Sequence, residues 1–502
     1  MRERAILLVA VAVLLAPWGE VGWVWDDALL IAENENLGWS RILTMWGEDL
    51  WAGVPGEHTS LFYRPLMVAT LVFDHNVLGG SPLLSRLHSL AWHLLCVGLL
   101  HRLLRGRPAA LAATALYALH PVATELVHFV AARNDTMAIA AILGLLLVFE
   151  PREVGARRRL LGAAVLFAGL LAKESAVLAL VVLPLYDWSR FGGLRPRRYL
   201  EVGVGALAAL LLRALVSLDS PGLGLEPMLM LTIAAEYGMA LLNPLASSPA
   251  TAPSELVDLD LIGLVFLGLL VFLARARAWT LALTIGGLAL AVVGASLSDG
   301  LAWRYLALPL LGICCGIGHW ETRRPWVGWL VLAVVGLVTL VVKPMWTDSV
   351  AFWTSAHARE PQAATACGLF KTLELSGDDA GAAEVLPEAI PRPHCCYNAS
   401  RFWLDRGDPE TALSFGEEAL ARGCPQSSEL LAPMGLSAAL SGDWDRALRY
   451  ATYDEGRDPY GYSKVVLTAE GLRRDDRTAL EHFGGDPGLE ERALQLISQS
   501  SR

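Results

Sequence analysis

The sequence predicts an all-α protein in two parts: a polytopic bundle of membrane helices over 1–346 and a water-exposed domain of helical repeats over 347–502. Three observations carry this prediction. Of 502 residues, 54% are hydrophobic and only 18% charged, where a soluble chain carries nearer a quarter charged. The apolar excess falls in blocks before about residue 346, and the remainder reads as an ordinary charged sequence. Beyond that point prolines and Gly-Asp pairs recur at a nearly constant step.

A helix crosses a bilayer with about 20 apolar residues, slightly fewer in a tight bundle. Eleven segments are candidates: roughly 5–23, 82–104, 108–124, 134–149, 159–173, 174–188, 199–217, 259–274, 278–297, 302–318 and 326–345. The first follows Arg2 and Arg4 but has no small-residue cleavage site, so it reads as a retained span. Arginines fill alternate connections: Arg102/Arg105/Arg107, Arg157/Arg158/Arg159, Arg190/Arg195/Arg197/Arg198, Arg275/Arg277 and Arg323/Arg324. The positive-inside rule makes those connections cytoplasmic. The segment 228–246 is apolar but holds Glu236, Asn243 and Pro244, and acidic sequence without a basic residue follows it. It reads as an interfacial or re-entrant helix. The N-terminus is then cytoplasmic and the repeat domain extracytoplasmic. With the chain divided between lipid and water the net charge of −10 says nothing about nucleic acid, and no basic stripe with interleaved aromatics points to such a partner.

The first outer loop, 24–63, opens with Trp23-Val24-Trp25-Asp26-Asp27. An amphipathic stretch follows over 37–51, with Trp39, Ile42, Leu43, Trp46 and Leu50 on one helical face, suited to the membrane interface. A carboxylate at that depth can deprotonate an attacking hydroxyl. An acidic pair at the end of a span is more often a solvated topological stop.

The other outer connections hold His120, Glu125, His128, Arg133 and Asp135, then Lys173 and Glu174, then Asp299, Arg304 and Tyr305. Ionisable groups at membrane depth are costly and face a cavity or a partner. Lys173, Arg133 and Arg304 suit the charges of a lipid phosphate. Equally, Lys173–Glu174 and Arg133–Asp135 read as structural ion pairs bridging helices. His120, Glu125 and His128 are ligand types, but their spacing matches no specific zinc motif. No metal ligand is assigned, and a divalent metal remains an option.

Together these residues resemble a known family. Trp25-Asp26-Asp27 after the first span, Asn34 and Asn36, and Tyr63-Arg64-Pro65-Leu66 look like its first outer loop. His120-Pro121 with Glu125, Ala132-Arg133-Asn134-Asp135, Ala172-Lys173-Glu174-Ser175, Tyr186-Asp187 and Arg304-Tyr305-Leu306-Ala307-Leu308-Pro309 fit the same pattern. The family is that of the transmembrane and tetratricopeptide-repeat O-mannosyltransferases, within the C-type (GT-C) membrane glycosyltransferase fold. The resemblance implies a polyprenyl- or dolichyl-phosphate sugar donor, typically mannose, inversion at the anomeric carbon, and a protein or other hydroxyl acceptor. It implies Asp26 and Asp27 as the catalytic acidic pair, of which we take Asp26 as base and Asp27 as its support, and Arg133, Lys173 and Arg304 near the donor phosphate. His120, Glu125, Asp135, Glu174, Arg64 and Tyr305 would form a supporting outer cluster. The richness in Ala, Leu and Arg favours a bacterial inner membrane, with the endoplasmic reticulum as the eukaryotic equivalent.

In the C-terminal part Pro361, Pro391, Pro425 and Pro459 are separated by 30, 34 and 34 residues. Gly377-Asp378, Gly407-Asp408 and Gly442-Asp443 mark inner turns, with Ala382, Ala412 and Ala447 keeping step. This is the tetratricopeptide spacing, and such stacked pairs present a groove for acceptor peptides or simply a rigid cap. Cys367, Cys395, Cys396 and Cys424 are available for disulfides if this part is extracytoplasmic, with the pairing open. Two rival functions remain. A transporter or flippase would spread its charges through the membrane depth, whereas here they gather at one face. A non-catalytic scaffold would act through its repeats.

Overall fold

The computed structural model describes residues 2–54, 62–216, 227–245, 247–251, 261–298, 300–320, 324, 326–452, 461–474 and 487–500. Asp299, Arg323, Pro459 and most of 247–258 lie outside them. The chain is helical almost throughout, its only sheet among the described residues being a two-residue antiparallel pairing of Ala250–Thr251 with Leu301–Ala302. It forms two compact units, Met1–Glu360 and Pro361–Arg502, so 347–360 belongs with the first.

Among the described residues four helices of the first unit are long and apolar enough to cross a membrane: Pro82–Leu103, Val130–Val148, Ala278–Ser296 and Trp326–Trp346. A fifth arises if Ala110–Leu119 and Pro121–His128, bent by 53° at His120, form one broken span. The first unit is therefore that of a membrane protein. The other expected spans are helices of 12 to 17 residues. At about 1.5 Å per residue each falls short of a hydrocarbon core of about 30 Å. The amphipathic helix expected over 37–51 is corrected. Only Arg41–Thr44 of the stretch 37–51 is α-helical, because the buried Arg41 turns back to Glu48 and to the Asp49 carbonyl. Immediately after the loop, Pro65–Val77 forms a helix, started by Pro65 at its first position and anchored by buried Asp74.

Helices Ala278–Ser298 and Ala307–Gly318 pack through small residues. A Cβ at Gly287 would meet Pro309 N at 2.8 Å, and one at Gly312 would meet Thr284 N at 2.6 Å. Glycine is thus required where the two backbones approach, as is common between membrane helices.

The second unit repeats a helix pair. Ala363–Ser376 turns into Asp379–Ala389, Asn398–Leu404 into Pro409–Ala421, and Ser428–Leu440 into Trp444–Ala451. Each inner turn uses a left-handed glycine, Gly377 (φ 80°), Gly407 (φ 78°) or Gly442 (φ 81°). The next residue, Asp378, Asp408 or Asp443, then caps the following helix by accepting an amide hydrogen bond. Ala382, Ala412 and Ala447 are all fully buried. Disulfides join Cys367 to Cys395 and Cys396 to Cys424, linking successive pairs.

Candidate active site

The Asp26 loop is held by backbone staples. Gly22 N–H donates to the Thr347 carbonyl (2.9 Å), and Trp25 N–H to Ser349 Oγ (3.0 Å), which in turn donates to the Trp23 carbonyl (3.1 Å). Arg86, fully buried, donates to the Trp346 carbonyl (2.7 Å) and to that of Gly22. Within this frame Trp25 has φ +52°, a conformation rare for a bulky side chain. Its ring stacks on Phe129 (5.6 Å between centroids) and Phe352 (5.7 Å), which fixes the turn that follows. A single strained residue thus sets the direction of both acids.

The two acids have different surroundings. Asp27 is fully buried and accepts from the amides of Val130 and Ala131, each at 2.8 Å. Burial pushes its pKa up to about 7, against those two hydrogen bonds and the charge of Arg86. Asp26 lines a cleft of about 960 Å³ with Trp25, Phe62, Arg64, Phe129, Asn134, Lys173, Arg304 and Tyr305. Burial raises its pKa to about 6, opposed by the nearby Arg304. At neutral pH Asp26 is therefore mostly ionised and available to take a proton.

Three cations stand on the cleft wall, each matched to a carboxylate. Arg304 gives both its backbone N–H and its Nη1 to Glu125 (2.9 Å each). Lys173 Nζ reaches both oxygens of Asp135 (2.6 and 2.7 Å). Arg64 makes a fork to Glu174 (2.6 and 3.2 Å), which Arg213 also approaches at 3.5 Å. The pairs expected from sequence, Lys173–Glu174 and Arg133–Asp135, are thus replaced by longer-range ones. Tyr305 sits between the cations, with Lys173 at 5.2 Å and Arg304 at 4.9 Å from its ring. A second lobe of about 610 Å³ shares Phe62, Arg64, Lys173 and Tyr305 and runs along Gly287, Leu290, Ala291, Val293 and Gly294.

Two predicted residues lie elsewhere. Arg133 is fully buried outside the cleft lining, donating to Asp74 (2.5 Å), Ser85 O (2.8 Å) and Ser89 Oγ (3.1 Å). Its charge is taken up by Asp74, on the helix that was not expected, so Arg133 is a structural ion. His120 accepts the Val122 amide at Nδ1 (3.3 Å) and, as the Nε2–H tautomer, donates to Leu241 O (2.8 Å). It caps a helix and ties down a neighbour. Sequence reasoning missed Trp25 as a positioning residue and Asn134 as a cleft residue. The buried Oδ1 of Asn134 has no hydrogen-bond partner among the described residues, which suits a ligand hydroxyl. Among the described residues no three His, Cys, Asp or Glu side chains converge as a metal centre requires.

The fold and site thus define a polytopic helical membrane protein with a carboxylate-bearing, cation-lined cleft. Over 190 residues the chain is 35% identical to Protein O-mannosyl-transferase Tmtc2 of Drosophila melanogaster, covering 34% of this chain and 20% of that protein. It is 32% identical to Protein O-mannosyl-transferase Tmtc1 of the same fly over 179 residues, 33% of this chain and 20% of that one. It is 29% identical to Protein O-mannosyl-transferase TMTC3 of Mus musculus over 161 residues, 29% of this chain and 17% of the mouse protein. The chain is thus a relative of these O-mannosyl-transferases, though the matches span only about a fifth of their length. No family model matches the chain, and no solved structure does.

Proposed function

We propose that the chain is a membrane glycosyltransferase that moves mannose from a polyprenyl- or dolichyl-phosphate carrier to a hydroxyl of a protein acceptor outside the cytoplasm. The observation that carries this reading is the placement of Asp26: an ionised carboxylate in a cleft whose other charged lining groups are Arg64, Lys173 and Arg304. Asp26 takes the proton of the acceptor hydroxyl. The acceptor oxygen bonds to the anomeric carbon while the carbon–oxygen bond to the phosphate breaks, and the lipid phosphate leaves with the electron pair. Attack from the face opposite the phosphate inverts the anomeric centre.

Asp27, tied to two amides, serves as the fixed support. A guanidinium carries five N–H donors, more than one carboxylate takes up, so Arg64 and Arg304 retain groups for the donor phosphate beside Lys173. The apolar second lobe along Ala278–Ser298 suits the isoprenoid chain. No step is assigned to a divalent ion.

The eleven-span topology with an extracytoplasmic C-terminal unit belongs to this proposal. Its support is the pair of disulfides in that unit, since disulfides persist in oxidising compartments. The recurring helix pairs read as tetratricopeptide-like repeats that dock the acceptor peptide. The test is to supply the purified chain in nanodiscs with a panel of polyprenyl-phosphate sugars and an acceptor extract. Release of lipid phosphate selective for mannose supports the reading. No release from any donor turns it toward a scaffold.

A further inference from the structure

Helices Ala278–Ser298 and Ala307–Gly318 line the second lobe beside the Asp26 cleft, through Gly287 to Gly294 and Leu308, and Ala179–Phe191 packs against Ala278–Ser298. Their other ends build a second pocket, of about 600 Å³, that the transfer reaction does not use. Arg107 enters it from the connection after Pro82–Leu103, Arg190 from the last turn of Ala179–Phe191, and Arg277 from the turn before Ala278–Ser298. Its aromatic wall is Tyr186 edge-on to Trp279 (5.3 Å), with His319 against the same indole (6.1 Å).

Among the described residues no carboxylate lines this pocket. Arg190 reaches Tyr186 Oη (3.4 Å) and Glu150 (3.5 Å), which lies outside the lining. The Arg107 and Arg277 guanidinium groups have no acid partner among the described residues. His319 donates from Nδ1 to the Cys315 carbonyl (2.8 Å), and its Nε2 has no partner among the described residues. The positive-inside rule explains arginines anywhere in these connections. It does not explain why three of them, from three separate connections, converge on one concavity floored by aromatic rings. Helix C-termini at Leu103, Phe191 and Gly318 offset part of the repulsion. They leave the arginine N–H donors open.

We propose that this pocket binds a phosphoryl group, carried by an anionic lipid headgroup or by a soluble phosphate, at the end of the helices opposite Asp26. The fork geometry of arginine matches phosphate oxygens, and the aromatic wall suits the apolar part of such a ligand. This site stands whether or not the transfer reaction proposed above is correct.

The test is arginine-selective modification of the full chain with phenylglyoxal, mapped by mass spectrometry. One arm uses phosphatidylcholine nanodiscs with and without phosphatidic acid. The other uses detergent-solubilised chain with and without glycerol phosphate. Protection of Arg107 and Arg277 by phosphatidic acid alone assigns a lipid headgroup, and protection by glycerol phosphate assigns a soluble ligand. Equal labelling in every condition overturns the proposal. Arg107→Gln and Arg277→Gln should each weaken binding of the protecting probe roughly tenfold, the scale of one charge-assisted hydrogen bond. Exposed arginines tolerate such changes, and the labelling of unaltered chain needs no variant. Undiminished binding in the double variant also overturns it.

Discussion

The Asp26 cleft and the arginine pocket solve opposite electrostatic problems. At the Asp26 end, Arg64, Lys173 and Arg304 each hold a carboxylate, Glu174, Asp135 or Glu125. Those cations stay in place without a ligand, and the unmatched charge is a single carboxylate able to accept a proton. In the other pocket Arg107, Arg190 and Arg277 meet with no acid in the lining among the described residues. Matched charges preorganise a reaction. Unmatched ones of one sign, Arg107 and Arg277 here, wait for a counter-ion. The same residue types therefore do chemistry at one end and recognition at the other.

The largest expected effect is on rate. Asp26→Asn should lower sugar transfer by about 10²- to 10⁴-fold, the usual worth of a general base, as checked by acceptor mannosylation. A comparable loss from changing Arg277 would break the division between the ends.

Ion pairing should show the next largest difference. Glu125→Gln takes the carboxylate from the partly buried Arg304 and should cost about 1–3 kcal/mol in unfolding stability. Glu150→Gln touches only the partly exposed Arg190 pair at 3.5 Å and should cost about 0–1 kcal/mol. Denaturation midpoints of the two variants in one detergent give the contrast. Equal costs would mean that the paired wall is no more fixed than the basic pocket.

The pH dependence sharpens the same contrast. Asp26 has its pKa raised to about 6 by burial, and the ionised form is the base. Transfer should therefore be nearly flat above pH 7 and fall about tenfold per unit well below pH 6. A rate that keeps its value at pH 5 would remove Asp26 from the proton transfer. The smallest effect is expected from Tyr305→Phe, which keeps the ring between Lys173 and Arg304 and should change transfer less than tenfold. A larger loss would give the hydroxyl a direct role.

Much of this site was legible because it rests on local sequence. Asp26 and Asp27 follow an apolar segment directly, and Lys173, Arg304 and Tyr305 interrupt apolar runs where charge needs a reason. What was not legible depends on contacts far apart in the chain. Arg133 reads like its cationic neighbours, yet Asp74 holds it, and Asp74 lies on Pro65–Val77. That helix was not read, because 13 residues with Asp74 and His75 are too short and too polar to look like a span. His120 beside Pro121 resembles a site residue, but it caps a helix at the 53° break. Four cysteines allow three connectivities, and only the stacking of helix pairs selects Cys367–Cys395 and Cys396–Cys424. The repeat step itself was visible from the Gly-Asp turns, since left-handed glycine and an aspartate cap are needed at each one.

The most direct test separates donor binding from chemistry. Binding of polyprenyl-phosphate mannose to the chain in nanodiscs would be measured alongside its single-turnover cleavage, for the unaltered chain and for Asp26→Asn. The account predicts that the variant binds the donor within a few-fold of the unaltered chain and does not release lipid phosphate when acceptor is present. Release at the unaltered rate by the variant would contradict the assignment of Asp26 as the base.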